Sequence, residues 1–221
     1  MDIKVINVQL FQFNSHKSRV GINCLSSYLL DHNITSFICL LQEPYVFKGR
    51  VAGMPSSSIV FSVPGTKDNP TRAAIWASPD LNIVFNPELS DPDTATVTWV
   101  DANGVLRQIC SVYCDILKDS INDTLKDAVS NANHLSRPNI IGLDTNAHSG
   151  LWGSEDENQR GREFEDFILQ NDLLVANEGS EPTYHCATGK SVIDVTLAND
   201  LSFPGIRNWR ILDEDFASDH K

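Results

Sequence analysis

Apolar runs of strand length recur along this chain, and only three stretches between them carry helical spacing. Such runs stand at 3–13, 35–41, 59–63, 72–77, 81–85, 94–100, 106–113, 139–143, 173–176, 192–197 and 206–212. Asn103-Gly104, between two of them, is a hairpin signal because Asn-Gly accepts the positive φ of a tight turn. Ser18 is placed to cap a helix running to about His32, with Val20, Cys24, Leu25, Tyr28 and Leu29 on one stripe. A second helix carries Ile121, Leu125, Ala128, Ala132 and Leu135, and a third, over 161–171, turns Phe164, Phe167 and Ile168 inward. Many strands with few helices do not make a regular β-α-β wind. They predict an α/β fold of four layers, in which two packed, mainly antiparallel sheets are flanked by helices.

At 221 residues the chain suits a single domain over its whole length. A domain of this size buries about 70% of its unfolded surface and needs no disulfide staples. Its five cysteines are scattered without metal-finger spacing, which reads as reduced thiols in an intracellular protein. The start has no signal-peptide pattern and no apolar run approaches ~18 residues, so no membrane association is expected. The net charge of −12 opposes nucleic-acid binding by bulk electrostatics. That objection weakens if acids gather around a cation, and basic residues stand in expected loops or helix starts at Lys48, Arg50, Lys67, Arg72, Arg160, Arg162 and Lys190.

Polar residues recur where the apolar runs stop. Asn14 follows the first, Glu43 the second, and Asp144 and Asn146 the run at 139–143. Asp194 lies inside VIDVTL, and Asp219-His220 stands near the end of the sequence. A rigid sheet rim can gather such groups from distant sequence. Singly, each has an ordinary explanation: a solvated loop acid, a side-chain-bonded turn, a cap. Asp194 is harder to dismiss, because an acid among Val192, Ile193, Val195 and Leu197 is costly to bury alone. Two ionised carboxylates at about 4 Å repel by about 4 kcal/mol at an effective dielectric of ~20, so a cluster needs a cation or a shared proton. Carboxylate and amide oxygens suit Mg²⁺, with Mn²⁺ as the alternative, better than zinc.

The blocks LLQEPY, SVYCD, IIGLDTNAHSGLW, PTYH…SVIDVTL and SDH, in this order, resemble the endonuclease of non-LTR retrotransposons in the endonuclease/exonuclease/phosphatase superfamily. The resemblance spans the chain from FQFNSHKSRV to SDHK. It implies metal binding by Glu43, Asn14 and Asp219, with Asn14 preferred to Asn7 as the site asparagine. It implies catalytic roles for Asp144, which would activate water, and for Asn146 and Tyr113 at the phosphate. Asp194 would hydrogen-bond a catalytic His220. His148, Ser149 and Trp152 fit the retrotransposon-type block, and we read them as structural.

The implied activity is a Mg²⁺-dependent nick in one strand of double-stranded DNA, leaving a 3′-hydroxyl that primes reverse transcription. The chain would then belong to a larger polyprotein with a reverse transcriptase and act in the nucleus. Lys190, Tyr184 and Arg72 are the expected substrate-binding residues, with the loop from Tyr184 to Lys190 beside the DNA groove. The family continues past SDH into a further core strand, so either the full protein continues beyond Lys221 or the sheet lacks its last strand. The alternatives are a phosphatase or phosphodiesterase of the same superfamily and an inactive nuclease fold kept for binding.

Overall fold

A computed structural model describes residues 8–119, 121–187 and 189–221. The first strands are β1 (Gln9–Asn14), β2 (Phe37–Gln42), β3 (Val46–Phe47), β4 (Arg50–Val51), β5 (Ile59–Phe61), β6 (Ala73–Ala77) and β7 (Asn82–Phe85). They are followed by β8 (Thr94–Val100), β9 (Leu106–Tyr113), β10 (Asn139–Asp144), β11 (Leu173–Val175), β12 (Tyr184–Cys186), β13 (Gly189–Ser191) and β14 (Asp194–Asn199). The helices are α1 (Arg19–Asp31), α2 (Asp123–His134) and α3 (Gln159–Gln170). One sheet has the order β1-β2-β6-β5 and the other β11-β14-β10-β9-β8-β7, while β3-β4 and β12-β13 are separate hairpins. Within the two sheets only β1-β2 and β9-β10 are parallel.

The apolar side chains divide into three layers of core, as the four-layer expectation requires. Ile22, Leu25 and Leu29 of α1 pack on Phe13, Cys39, Leu41 and Trp76 of the smaller sheet. Ile38, Leu40 and Ile75 meet Val97 and Ile109 between the sheets. Leu125 and Val129 of α2, with Phe164 and Ile168 of α3, cover Cys110, Val112, Ile141 and Leu143 on the outer face of the larger sheet. The helices start where short polar side chains can hold a free backbone N–H: Ser18 accepts from Gly21, Asn122 from Leu125 and Asn158 from Gly161. No helix among the described residues is long and apolar enough to cross a membrane.

The seam between the sheets is not wholly apolar. Gln12 donates to the Leu143 carbonyl at 2.9 Å, and Gln42 donates to Ser111 at 3.0 Å, whose hydroxyl donates to the Leu41 carbonyl at 2.9 Å. At Gly142 an added Cβ would stand 2.6 Å from Leu40 Cδ1 and 2.9 Å from Gln12 Oε1, so a larger residue there would make the side chains at the seam shift. Buried polar groups paired across two sheets fix their register, since any slip strands a donor.

Several expectations shift. The 206–212 run is not a strand: Asn208 has φ 58°, which interrupts an extended run, and Arg207, Asn208 and Arg210 face solvent. Its Trp209 instead donates from Nε1 to Thr196 Oγ1 at 3.1 Å. Val20 is exposed, and Gly21 and Ile22 take the inward positions on α1. Ile121 precedes α2, whose cap is Asn122. Residues 3–7 of the expected first strand, including Asn7, lie outside the described residues.

Candidate active site

Register brings the polar residues to one rim. In the parallel pair β1-β2 Asn14 lies beside Gln42, the residue before Glu43. In the parallel pair β9-β10 Asp144 lies beside Tyr113, and in the antiparallel pair β10-β14 it lies beside Asp194. Strands that run the same way and stop at the same level present their last residues together. Asn14 Nδ2 then donates to Asp144 Oδ2 at 2.7 Å, joining the rims of the two sheets. The Asn14 side-chain oxygen Oδ1 accepts from the backbone N–H of His16 at 2.8 Å.

The centre is Asp144, Asp194 and His220, which are 1%, 8% and 6% exposed. Each offers a ligand atom within 4.8 Å of the others. His220 Nδ1 lies 2.8 Å from Asp194 Oδ2, and an ionised carboxylate only accepts, so Nδ1 carries the proton and Nε2 is turned away from Asp194. Burial works against the imidazolium, but the charge and hydrogen bond of Asp194, with Asp144 and Glu43 nearby, outweigh it and push His220 up to about 9. Burial and the Asp194 charge push Asp144 up to about 7, while His220, Asn14 and the Asn146 N–H hold it back. Asp194 Oδ1 is buried with no hydrogen-bond partner among the described residues.

Supporting residues explain how an acid is held inside an apolar strand. Thr183 Oγ1 accepts from the backbone N–H of both Ile193 and Asp194 at 3.1 Å. His220 is held by a backbone bridge to Tyr184, whose ring lies 4.8 Å from the imidazole. Ser218 donates to the Asn14 carbonyl at 2.7 Å and accepts from the His220 N–H at 3.2 Å. Glu43 has φ 41°, and its carboxylate meets Lys17 Nζ at 2.8 Å. Asp219 is half exposed and faces His16 Nδ1 at 3.3 Å.

Tyr113 is half-buried, and its phenol is held far above its ordinary range by burial and by the charges of Glu43 and Asp144. It therefore stays a neutral hydrogen-bond donor. Asn146, with φ 48°, donates to the Cys114 carbonyl at 3.2 Å. Arg72, expected at the substrate, is otherwise engaged. Its guanidinium donates to both Asp93 oxygens at 2.6 and 2.7 Å and to Asp115 at 2.6 Å, and it stacks 4.9 Å from the Tyr113 ring centroid. Two carboxylates take up its donors, and its guanidinium lies against the Tyr113 ring. Tyr184 braces His220. Lys190 is exposed on β13, opposite His185.

Lys17, Thr183 and Ser218 were not singled out in the sequence, because a basic residue after a strand or a lone hydroxyl carries no spacing signal. Trp152 is buried and donates to the Val192 carbonyl at 3.1 Å, Ser149 bonds Glu165, and His148 Nδ1 lies 2.8 Å from Asp156 Oδ1. These contacts hold the segment after Asp144 against α3 and β14, in keeping with a structural role. Arg160 fixes the same region by donating to the carbonyls of Thr145, Lys118 and Asp115.

A family model described as endonuclease-reverse transcriptase matches residues 107–221, just over half of the chain and the part that carries Tyr113, Asp144, Asp194 and His220. This chain belongs to that family. It is thereby a retrotransposon endonuclease domain of the endonuclease/exonuclease/phosphatase superfamily. The Pol polyprotein of a type-1 retrotransposable element from Bradysia coprophila is 40% identical over 186 residues, which cover 78% of this chain and 18% of the relative. A 115 kDa protein of a type-1 element from Drosophila melanogaster is 27% identical over 196 residues, covering 84% and 18%. The domain thus spans under a fifth of the curated relatives it matches, which are larger polyproteins. Among solved structures, the endonuclease domain of TRAS1, a telomere-specific non-LTR retrotransposon, superposes with a TM-score of 0.81 at 26% identity, covering 97% of this chain and 95% of that one. An AP endonuclease from Leishmania major, at 7% identity and a TM-score of 0.63, covering 86% and 78%, shares the fold alone.

Proposed function

We propose that this domain nicks one strand of double-stranded DNA by cation-assisted hydrolysis and leaves a 3′-hydroxyl. In a polyprotein with a reverse transcriptase, that end would prime DNA synthesis at the insertion site in the nucleus. The observation that carries the proposal is the buried group of Asp144, Asp194 and His220 at a rim shared by two sheets.

A divalent cation fits these residues. Asp144 is pushed up to about 7 largely by burial and its neighbouring acid, a repulsion that a cation would offset, and the donors are oxygen-rich. Glu43 and Asp219, with the Asn14 and Asp144 oxygens nearby, would hold Mg²⁺ or Mn²⁺. Such an ion, when bound, polarises a phosphodiester oxygen and offsets developing negative charge.

The chain's own groups supply the rest. Asp144, in its carboxylate form, accepts the proton of the attacking water. As the water oxygen bonds to phosphorus and the P–O3′ bond breaks, the departing 3′ oxygen takes up a proton from solvent and becomes the hydroxyl. Asn14 and the Asn146 N–H keep the Asp144 carboxylate oriented. Tyr113 and the Asn146 amide donate to phosphate oxygens. His220, held charged and oriented by Asp194, presents Nε2 to the charge that builds on the phosphate. Supercoiled plasmid incubated with Mg²⁺ should become open circles, and a chelator should prevent it. Release of inorganic phosphate from small phosphomonoesters without nicking would overturn the proposal.

A further inference from the structure

Immediately after Glu43 the chain leaves the rim as an arm. Pro44 is buried, and Tyr45, Val51 and Met54 pack against the core beneath α1. The Ala52 N–H donates to the Tyr45 carbonyl at 2.9 Å and closes the base. Beyond that base β3 and β4 pair only with each other. At the tip Lys48 and Gly49 have φ 51° and 74°, the two left-handed residues of a type I′ turn, so the projecting shape is built into the backbone.

The side chains of this arm are unusual for the molecule that carries it. Phe47 is 55% exposed and stands opposite Arg50, and Lys48 Nζ lies 5.4 Å from its ring centroid. A large ring on a projecting tip adds nothing to the core. The whole chain has 29 acidic against 17 basic residues, yet no Asp or Glu falls between Glu43 and Asp68. A polyanion is repelled by most of this surface and meets cations without acids along this arm.

We propose that the β3-β4 arm is a clamp for duplex DNA beside the scissile phosphate, with Lys48 and Arg50 on backbone phosphates and Phe47 against a sugar or base edge in the groove. The clamp rests on the nuclease reading and gives it what the net charge of −12 withholds, a local phosphate-binding surface. Because residue 46 is three positions past Glu43, bound DNA would be held where the rim can cut it. The two cations set affinity through phosphates, and the ring contributes a contact indifferent to salt.

The test is binding of a fluorescent duplex in chelator, by anisotropy, between about 50 and about 200 mM salt. Each phosphate contact contributes about 0.9 to the slope of log affinity against log salt, so Lys48→Ala with Arg50→Ala should flatten it by about 1.8. Phe47→Ala should weaken binding about fivefold or more and leave the slope unchanged. A charge-matched pair on the outer helices, Lys126→Ala with Arg162→Ala, should leave the slope near that of the wild type. If the arm pair flattens the slope no more than this control while the wild type binds and nicks, the clamp is wrong and the nuclease reading stands. If the wild type neither binds duplex nor nicks plasmid, the nuclease reading falls and the clamp with it.

Discussion

At the scale of single residues, the centre depends on a buried acid and a buried imidazole that each make the other tolerable. His220 is held at about 9, above the ordinary histidine value, chiefly because Asp194 outweighs the cost of burial. A raised folded pKa stabilises the fold fully below the unfolded value of about 6.5 and stops doing so as pH rises through about 9. The metal-free domain should therefore lose on the order of a few kcal/mol from this group across that window. Asp144, raised to about 7, adds in the same direction, since its protonated form is favoured in the fold. In Asp194→Asn the His220 resonance, followed by NMR, should titrate well below about 9, and the pH dependence of stability should shrink. An unchanged titration would mean that Asp194 does not hold the ring. If both act through one charged imidazole, the nicking losses in Asp194→Asn and His220→Ala should also be far from additive.

At the scale of elements, glycine positions show how strands and helices are brought close enough to serve the rim. Gly161 sits in the first turn of α3, where an added Cβ would lie only 1.9 Å from the His148 carbonyl oxygen. Helix propensity alone favours alanine there by up to about 1 kcal/mol. The clash is with backbone and should win, so Gly161→Ala should destabilise the domain by about 1–3 kcal/mol and loosen the segment that carries Asn146. Urea unfolding checks the sign, and a stabilised variant would mean that the helix is free to shift. Elements of this kind were legible in sequence where burial dictates the pattern. The wholly buried β2 and the Ser18-capped α1 follow from periodicity and capping chemistry, and Asn103-Gly104 marks its turn. The 206–212 run misled because apolar content does not reveal a left-handed Asn208. The β3-β4 hairpin was hidden because two-residue strands leave no period to read.

At the scale of the whole molecule, two sheets stop at one level and are joined by Asn14 and Asp144, with the segment around His220 laid over the junction by Ser218 and Tyr184. The sequence showed which polar residues end apolar runs, and so named most members of the rim. The resemblance also paired Asp194 with His220, as the structure has them, but the other partners were not legible, because register and inter-sheet contact have no local signature. Arg72 is the clearest case: the sequence shows a basic residue at a strand start but not that Asp93 and Asp115, distant in sequence, pair with it beside Tyr113. Asp144 joins the rims of the two sheets through Asn14 and lies in the field of the acid–imidazole pair. Single-turnover nicking of supercoiled plasmid in Mg²⁺ by Asp144→Asn against wild type therefore bears most directly on whether this rim is the catalytic centre. The substitution keeps the shape and removes the proton acceptor, so the rate should fall by at least about 100-fold with the fold intact by circular dichroism. Nicking at the wild-type rate would contradict the assignment and place the chemistry away from the junction of the two sheets.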